Sequence, residues 1–392
     1  MYKRICFVIE MTVVFAVFGF TLIGCINNPK NTSEKNGHVY PEAYNNYSNN
    51  TKRLYNYLAD NYGKNIISGQ MDTAWATNSR IDMIARVYAD TEKYPAIKGF
   101  DFIDLPFSWG GYGQNEIDEA IEWWDGTNRM RGDTPAKKLL PDKPDIRGIV
   151  TFCWHWRMGE EYEFYTNKTK YRIPMKNGKL DTTHERFQKI IEDLDEVAAL
   201  LTQLKDRDIP VLWRPLHEAA GNYQLGQPGW FWWGASGPKA NIALWEFMYD
   251  YLTNEKKLNN LIWVWNGQHK NWFPDPKTAH IVGLDHYAPA KNYSSQKIKF
   301  KEALSMIPNR NRMIALSENG SIPDPDNCKR DDVMWSWFMV WNDHTDDENV
   351  TNDSNFWSGE YHNTRAHKNY IYNHELVITL DKLPDLTKYR IE

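Results

Sequence analysis

Eight short runs of β-type residues, each separated from the next by a longer segment, restrict the fold of this 392-residue chain more than any other feature. They fall at 65–70, 96–102, 147–155, 209–217, 261–266, 280–287, 312–318 and 335–341. Strand-like runs alternating with helical patterns predict βα units and a parallel sheet, and eight such strands close a barrel. Among the intervening segments, Phe187, Ile190, Ile191, Leu194, Val197, Ala198, Leu201 and Leu204 recur at three- and four-residue spacing. That stripe predicts an amphipathic helix over 184–205. A second is expected over 241–254, from Leu244, Trp245, Phe247, Met248, Tyr251 and Leu252. Weaker patterns place four more at 51–62, 80–89, 115–124 and 297–306. No Gly/Ser-rich linker and no repeat of about 20 to 50 residues interrupts the alternation. The expectation is an α/β chain folded as a single (β/α)8 TIM barrel. A doubly wound open sheet competes, but no strand is followed by a Gly-rich phosphate fingerprint. Gly-Gly-Tyr-Gly at 110–113 reads as a turn.

The N-terminus carries a separate message. Lys3 and Arg4 precede an apolar stretch, Ile5 to Ile23, broken only by Glu10 and Thr12, and then comes Leu22-Ile23-Gly24-Cys25. This resembles a bacterial lipoprotein signal peptide, in which the cysteine becomes the lipid-modified first residue. The domain expectation is therefore a signal peptide at 1–24, a lipid-anchored flexible tether at 25–40 with its polar, Asn-rich character running on to Asn50, and the barrel at 41–392. An uncleaved membrane anchor is the alternative. Both put the barrel outside the cytoplasm, as a cell-surface lipoprotein or secreted protein with membrane contact only through its N-terminus. Cys6 and Cys25 belong to this segment, so only Cys153 and Cys328 remain. One disulfide or two free thiols fit equally. The formal charge is −5 with Lys and Arg scattered, which argues against nucleic acid as a partner. A monomer is expected. Aromatic residues make up 14% of the chain, including 18 Trp, so many of the rings are expected to be partly exposed.

Active sites of such barrels form at the C-terminal ends of the strands. Two strands end in carboxylates. The fourth ends Leu212-Trp213-Arg214-Pro215-Leu216-His217-Glu218, and the seventh Ala315-Leu316-Ser317-Glu318-Asn319-Gly320. A carboxylate at an apolar strand terminus is unfavourable unless the site pairs it or uses it. Strands four and seven face each other across the mouth, so both groups can address one cleft. Glycoside hydrolysis needs that arrangement, with one carboxyl protonated to donate to the leaving oxygen and the other ionised at the anomeric carbon. Taken singly, either Glu is equally readable as the ion-pair partner of Arg214 or Arg312.

The run Trp213-Arg214-Pro215-Leu216-His217-Glu218, followed by Trp230-Phe231-Trp232-Trp233-Gly234, resembles the acid/base segment of family 26 glycoside hydrolases, mostly β-mannanases. Ser317-Glu318-Asn319-Gly320 resembles their nucleophile segment, and the likeness extends from about Tyr40 to Leu386. The resemblance implies that Glu218 is the general acid/base and Glu318 the nucleophile of a retaining double displacement. It implies that His217 belongs to the catalytic subsite and that Tyr287 hydrogen-bonds the nucleophile. It also implies that His155 and Trp156, ending strand three in Phe152-Cys153-Trp154-His155-Trp156, contact sugar, and that Trp230 and Trp341 form stacking surfaces. One departure is the insertion of Asn222-Tyr223-Gln224-Leu225-Gly226-Gln227-Pro228 between the two halves of the acid/base segment. It lengthens the loop after strand four and puts the register of Trp230 in question.

The acidic stretch 342–358 contains Asp343, Asp346, Asp347, Glu348 and Asp353 but lacks the spacing of an EF-hand, so a solvated loop is expected over a Ca²⁺ site. No His-Glu-x-x-His motif is present, and neither a metal nor another cofactor is expected. The functional expectation is a retaining endo-β-1,4-mannanase acting on β-mannan polysaccharide or manno-oligosaccharide, including glucomannan and galactomannan. The same family pattern leaves open mixed-linkage β-glucan or β-1,3-xylan as substrate. A surface lipoprotein that binds polysaccharide without turnover is a further alternative, but a binding groove does not need Glu218, Glu318, His217 and Tyr287 together.

Overall fold

The computed structural model describes residues 34–35, 38–72, 82–105, 112–127, 146–345 and 353–391. The expected signal segment 1–24, Cys25 and most of the tether lie outside the described residues, as do Gly110 and Gly111 of the expected turn, whose other two residues, Tyr112 and Gly113, instead open a helix. All eight expected strands form one closed parallel barrel. They are β1 (Gly69–Met71), β2 (Ile97–Asp101), β3 (Ile149–Cys153), β4 (Val211–Arg214), β5 (Leu261–Trp265), β6 (Ile281–Asp285), β7 (Met313–Asn319) and β8 (Phe338–Val340). Spatial order follows chain order, and β8 returns to β1 through the pair Val340 and Gln70. The Gln70 side-chain amide reinforces this closure by donating to the carbonyls of Val340 and Trp341. The expected first strand divides its pairing. Ile66–Ile67 pairs in parallel with Val377–Ile378 near the end of the chain, while Gly69–Met71 enters the barrel.

Among the described residues, eight helices of seven or more residues pack around it: α1 (Asn49–Asn61), α2 (Met83–Thr91), α3 (Tyr112–Asp125), α4 (Glu185–Asp206), α5 (Pro238–Tyr249), α6 (Lys297–Met306), α7 (Pro325–Asp331) and α8 (Arg365–Asn373). The short α7 and α8 lack a long apolar stripe but carry their own start signals. Asp324 caps α7 and is followed by Pro325, and Thr364 caps α8 by accepting from the His367 N–H. The longest, α4, buries Phe187, Ile190, Leu194, Val197, Leu201 and Leu204 as the periodicity requires. After α5 the backbone widens into a π-turn, Asp250–Glu255, that continues to the end of the expected helix. Inside the barrel Gly99 of β2 has no room for a side chain: a Cβ there would lie 2.1 Å from Met71 Sδ on β1.

Two expectations are corrected. The Asn-rich stretch does not stay a tether up to Asn50. Tyr40, Tyr44 and Tyr47 are buried and pack edge-on or tilted against one another and Tyr55 of α1. Tyr47 donates to His280 Nδ1 at the start of β6, so this cluster seals the N-terminal end of the barrel. Burial drives His280 down to about 3, so it is a neutral acceptor. The aromatic wealth also serves the interior more than the surface. Fourteen Trp side chains are buried among the described residues, Trp213, Trp263, Trp265 and Trp337 among them, whereas Trp230 is well exposed. Cys153 on β3 and Cys328 on α7 are both buried and unpaired, which settles the thiols as free.

Candidate active site

The Glu218 turn is built by backbone geometry that no strand pattern encodes. Pro215 has no N–H for a sheet ladder, and β4 stops at Arg214. Leu216 and Glu218 then both adopt left-handed backbone, with φ of 51° at each. Such conformations cost of order 1–3 kcal/mol apiece in non-glycine residues and concentrate at functional sites. Neighbouring chain holds them: Glu218 N–H donates to the Asn266 carbonyl at 2.7 Å, and the Trp233 indole donates to the His217 carbonyl at 2.8 Å. Gln268 Nε2 donates to Glu218 Oε1 at 3.2 Å.

Across the mouth, Glu318 lies within β7 at a bulge. The register slips between Leu284 opposite Leu316 and Asp285 opposite Glu318, leaving Ser317 as the extra residue. Bulges re-aim side chains in this way. Both Glu318 oxygens are occupied: Arg214 Nη2 donates to Oε1 at 2.5 Å, and the Tyr287 hydroxyl donates to Oε2 at 2.7 Å. Arg214 also donates to Asp285 Oδ2 at 2.8 Å, and Asp285 Oδ1 accepts from Asn266 and Ser317 at 2.7 Å each. Glu218, Asp285 and Glu318 each bring one carboxylate oxygen to within 4.8 Å of the other two. Such a trio could attract a cation, but Arg214 already supplies positive charge between two of its members. The alternative partner, Arg312, bonds instead to the carbonyls of Ala279 and Pro276. Arg214 is thus the ion-pair partner that the sequence offered for Glu318, while Asp285 and Asn266 are site residues that motif reading did not single out.

Their environments push the two glutamates to different degrees. Burial raises Glu318 to about 7, with Asp285 adding to the rise, while Arg214 and the Tyr287 hydrogen bond oppose it. Burial, then the charges of Asp285 and Glu318, raise Glu218 well above the carboxylate range. Glu318 thus ionises first and Glu218 keeps its proton. The Tyr287 phenol, raised by burial and then by Glu318, remains a donor.

His155 and His217 form one side of the pocket. Burial works against the Asp101 charge, but His155 outweighs it and holds the carboxyl below its ordinary value. His155 Nδ1 lies 2.5 Å from Asp101 Oδ2, and its Nε2 meets His217 Nε2 at 3.2 Å. Burial, then His155 and Arg214, push His217 well below its ordinary value, so it is neutral. The two Nε2 atoms therefore face each other with one of them supplying the proton, and His217 Nδ1 has no hydrogen-bond partner. Trp341 packs edge-on against His155, with ring centres 5.8 Å apart.

One expected contact is overturned. Trp156 is fully buried, stacked on Trp154 at 4.2 Å, packed against Trp232 and hydrogen-bonded to Asp193. It has no face to offer a ligand and belongs to the packing beneath the site. Tyr165 presents the kind of face that Trp156 lacks. It is 39% exposed, stacks on Phe231 and lies close enough to Glu218 to feel its charge. It stands in a loop bridged to the segment after β4 by the pair Tyr165 and Phe231, and strand-end reasoning could not reach it. In the acidic stretch, residues 346–352 lie outside the described residues. Asp343 is committed structurally, paired with Arg86 at 2.6 Å and accepting from the Trp357 and Ser358 N–H groups.

A (β/α)8 barrel with two carboxyls this close at its C-terminal mouth, one ready to ionise and one held neutral, has the equipment of a retaining glycosidase. The chain belongs to glycosyl hydrolase family 26, whose model matches residues 43–382. It is 33% identical over 338 residues to mannan endo-1,4-beta-mannosidase A of Piromyces sp, an alignment covering 85% of this chain and 49% of that protein. It spans about half the length of the first curated relatives it matches. Among solved structures, a GH26-CBM35 β-(1,4)-mannanase of Podospora anserina is 30% identical with a TM-score of 0.65, over 88% of this chain and 69% of that one. A β-mannanase from a symbiotic protist of the termite Reticulitermes speratus, complexed with gluco-manno-oligosaccharide, is 26% identical with a TM-score of 0.68. That match covers 88% of this chain and 97% of the other.

Proposed function

We propose that the chain is an exported retaining endo-β-1,4-mannanase acting on mannan, glucomannan or galactomannan. The observation that carries the chemistry is the approach of Glu218 and Glu318 carboxylate oxygens to within 4.8 Å. Retaining enzymes hold their carboxyls about 5–5.5 Å apart, whereas inverting enzymes leave about 6.5–9.5 Å for a water. The names of the family relatives supply the polymer. In this reading ionised Glu318 attacks the anomeric carbon while Glu218 passes its proton to the departing oxygen. Glu218, now a carboxylate, takes a proton from the water that cleaves the glycosyl-enzyme. Arg214 and Tyr287 fix the attacking carboxylate, and His155, His217, Trp230 and Trp341 surround the sugar. Tyr165 joins them on the strength of its exposed face beside Glu218. The N-terminal resemblance to a lipoprotein signal supports export and attachment to a membrane through Cys25.

The anomer released first is the direct test. NMR of a mannohexaose digest is expected to show β-product before mutarotation, and initial α-product would exclude double displacement. Parallel assays on mixed-linkage β-glucan and β-1,3-xylan are expected to show far lower turnover than on mannan. The pH dependence is also set. Glu318 must be ionised, so kcat/KM is expected to fall below about pH 7, approaching tenfold per unit on the acid side. It falls again on the alkaline side as Glu218 loses its proton. Because the two carboxyls interact, the limbs belong to the pair. A profile from pH 4 to 10 with equal activity at pH 5 and pH 7.5 would contradict this assignment.

A further inference from the structure

Beside the acid, the cleft opens sideways into a cavity of about 290 Å³. One wall is Trp230, Gln268 and the inserted turn at Asn222 and Leu225; the other is Lys299 and Glu302 of α6. The turn is shaped by left-handed backbone at Asn222 and Gly226, which lifts Leu225 to 75% exposure. The Trp230 ring lies flat on Gly221, where a Cβ would come within 2.3 Å of it, so that wall is held in place. Opposite, Lys299 Nζ and Glu302 Oε2 pair at 2.8 Å with both side chains partly exposed, offering donor and acceptor side by side.

We propose that this recess receives a single-sugar branch carried by the sugar that departs when the backbone is cut. The inference rests on the mannanase reading and adds a specificity determinant to it. Three features support it. Gln268 bonds the acid, Glu218, and Glu218 touches the departing oxygen, so the recess flanks the first sugar on the leaving side. Helix α6 of the outer ring walls its far end, so a polymer backbone must run past it. Its volume falls at the low end of small-molecule pockets, of order 300–1,000 Å³, which suits one ring and not a chain. An adjacent ammonium and carboxylate match the vicinal hydroxyls of a hexose, and Trp230 and Leu225 supply the apolar side.

The chemistry of cleavage gives the readout. The departing sugar becomes the non-reducing end of the released fragment, so wild-type digests of galactomannan are expected to contain fragments branched at that end. The double variant Lys299→Ala/Glu302→Ala, on the surface of α6, is expected to lower kcat/KM on galactomannan about tenfold, the loss of two ordinary hydrogen bonds. On unbranched mannohexaose it is expected to change less than twofold. Leu225→Ala, in the inserted turn, is expected to move the same ratio in the same direction. An unchanged ratio in both variants, with wild type active on both substrates, would overturn the branch recess and leave the mannanase reading standing. Wild type inactive on both would overturn that reading and the recess with it.

Discussion

Glu318→Ala is expected to lower kcat on mannan by on the order of 10⁴-fold or more, because it removes the atom that forms the covalent bond. Glu218→Ala is expected to cost about 10²–10⁴-fold on the polymer, but its loss is conditional. With an aryl β-mannoside whose phenolate leaves without a proton, the first step survives and only the water-activating role is missing. Azide needs no base, so it is expected to restore turnover to Glu218→Ala and to yield the β-mannosyl azide. In Glu318→Ala the same anion could act only by direct displacement, giving the α-azide. The configuration of the azide product thus reports which glutamate holds which role. An α-azide from Glu218→Ala would reverse the assignment.

Arg214→Met is expected to lower stability by about 3–5 kcal/mol, because it strips the counter-charge from two buried carboxylates at once. For a domain of this size that corresponds to roughly 4–7 °C in Tm. The sign with pH follows from the carboxyls. Without the guanidinium, Glu318 is more reluctant to ionise than its value of about 7 in the intact protein. The deficit should therefore shrink as acid protonates Glu318, and residual activity should shift its acid limb upward. Thermal melts of wild type and variant at pH 5 and pH 8 measure the first effect. A deficit equal at both pH values would mean that Arg214 contributes packing and not charge. Arg214→Lys keeps the charge but cannot bond both carboxylates through a planar fork, so it is expected to recover part of the stability and little of the rate.

The barrel was legible because its strands are buried on both faces and read as apolar runs, and because the outer helices show one-sided stripes such as Phe187 to Leu204. The Glu218 and Glu318 positions were legible for the opposite reason, being charges at the ends of apolar runs. The same criterion applied to Ile281-Val282-Gly283-Leu284-Asp285 points to Asp285, two residues before Tyr287. Trp156 shows where local reading stops. Nothing in Trp154-His155-Trp156 distinguishes a ring facing sugar from one facing the core, since Trp232, which covers it, comes from a segment some seventy-five residues away. Backbone at Leu216 and Glu218 was equally hidden, because left-handed conformation in non-glycine residues is imposed by tertiary contacts such as the bond from Glu218 to Asn266.

The parallel pairing of Ile66–Ile67 with Val377–Ile378 places the two ends of the barrel side by side. A nascent chain leaves the ribosome with residues 66–67 roughly three hundred residues ahead of their partners. During that interval β1 has one neighbour, β2, and its other edge waits for β8. The seam closes only once residue 340 has emerged, and the outer pair only once residues 377–378 have, so until then the growing polypeptide presents an open sheet edge to whatever chaperones accompany it.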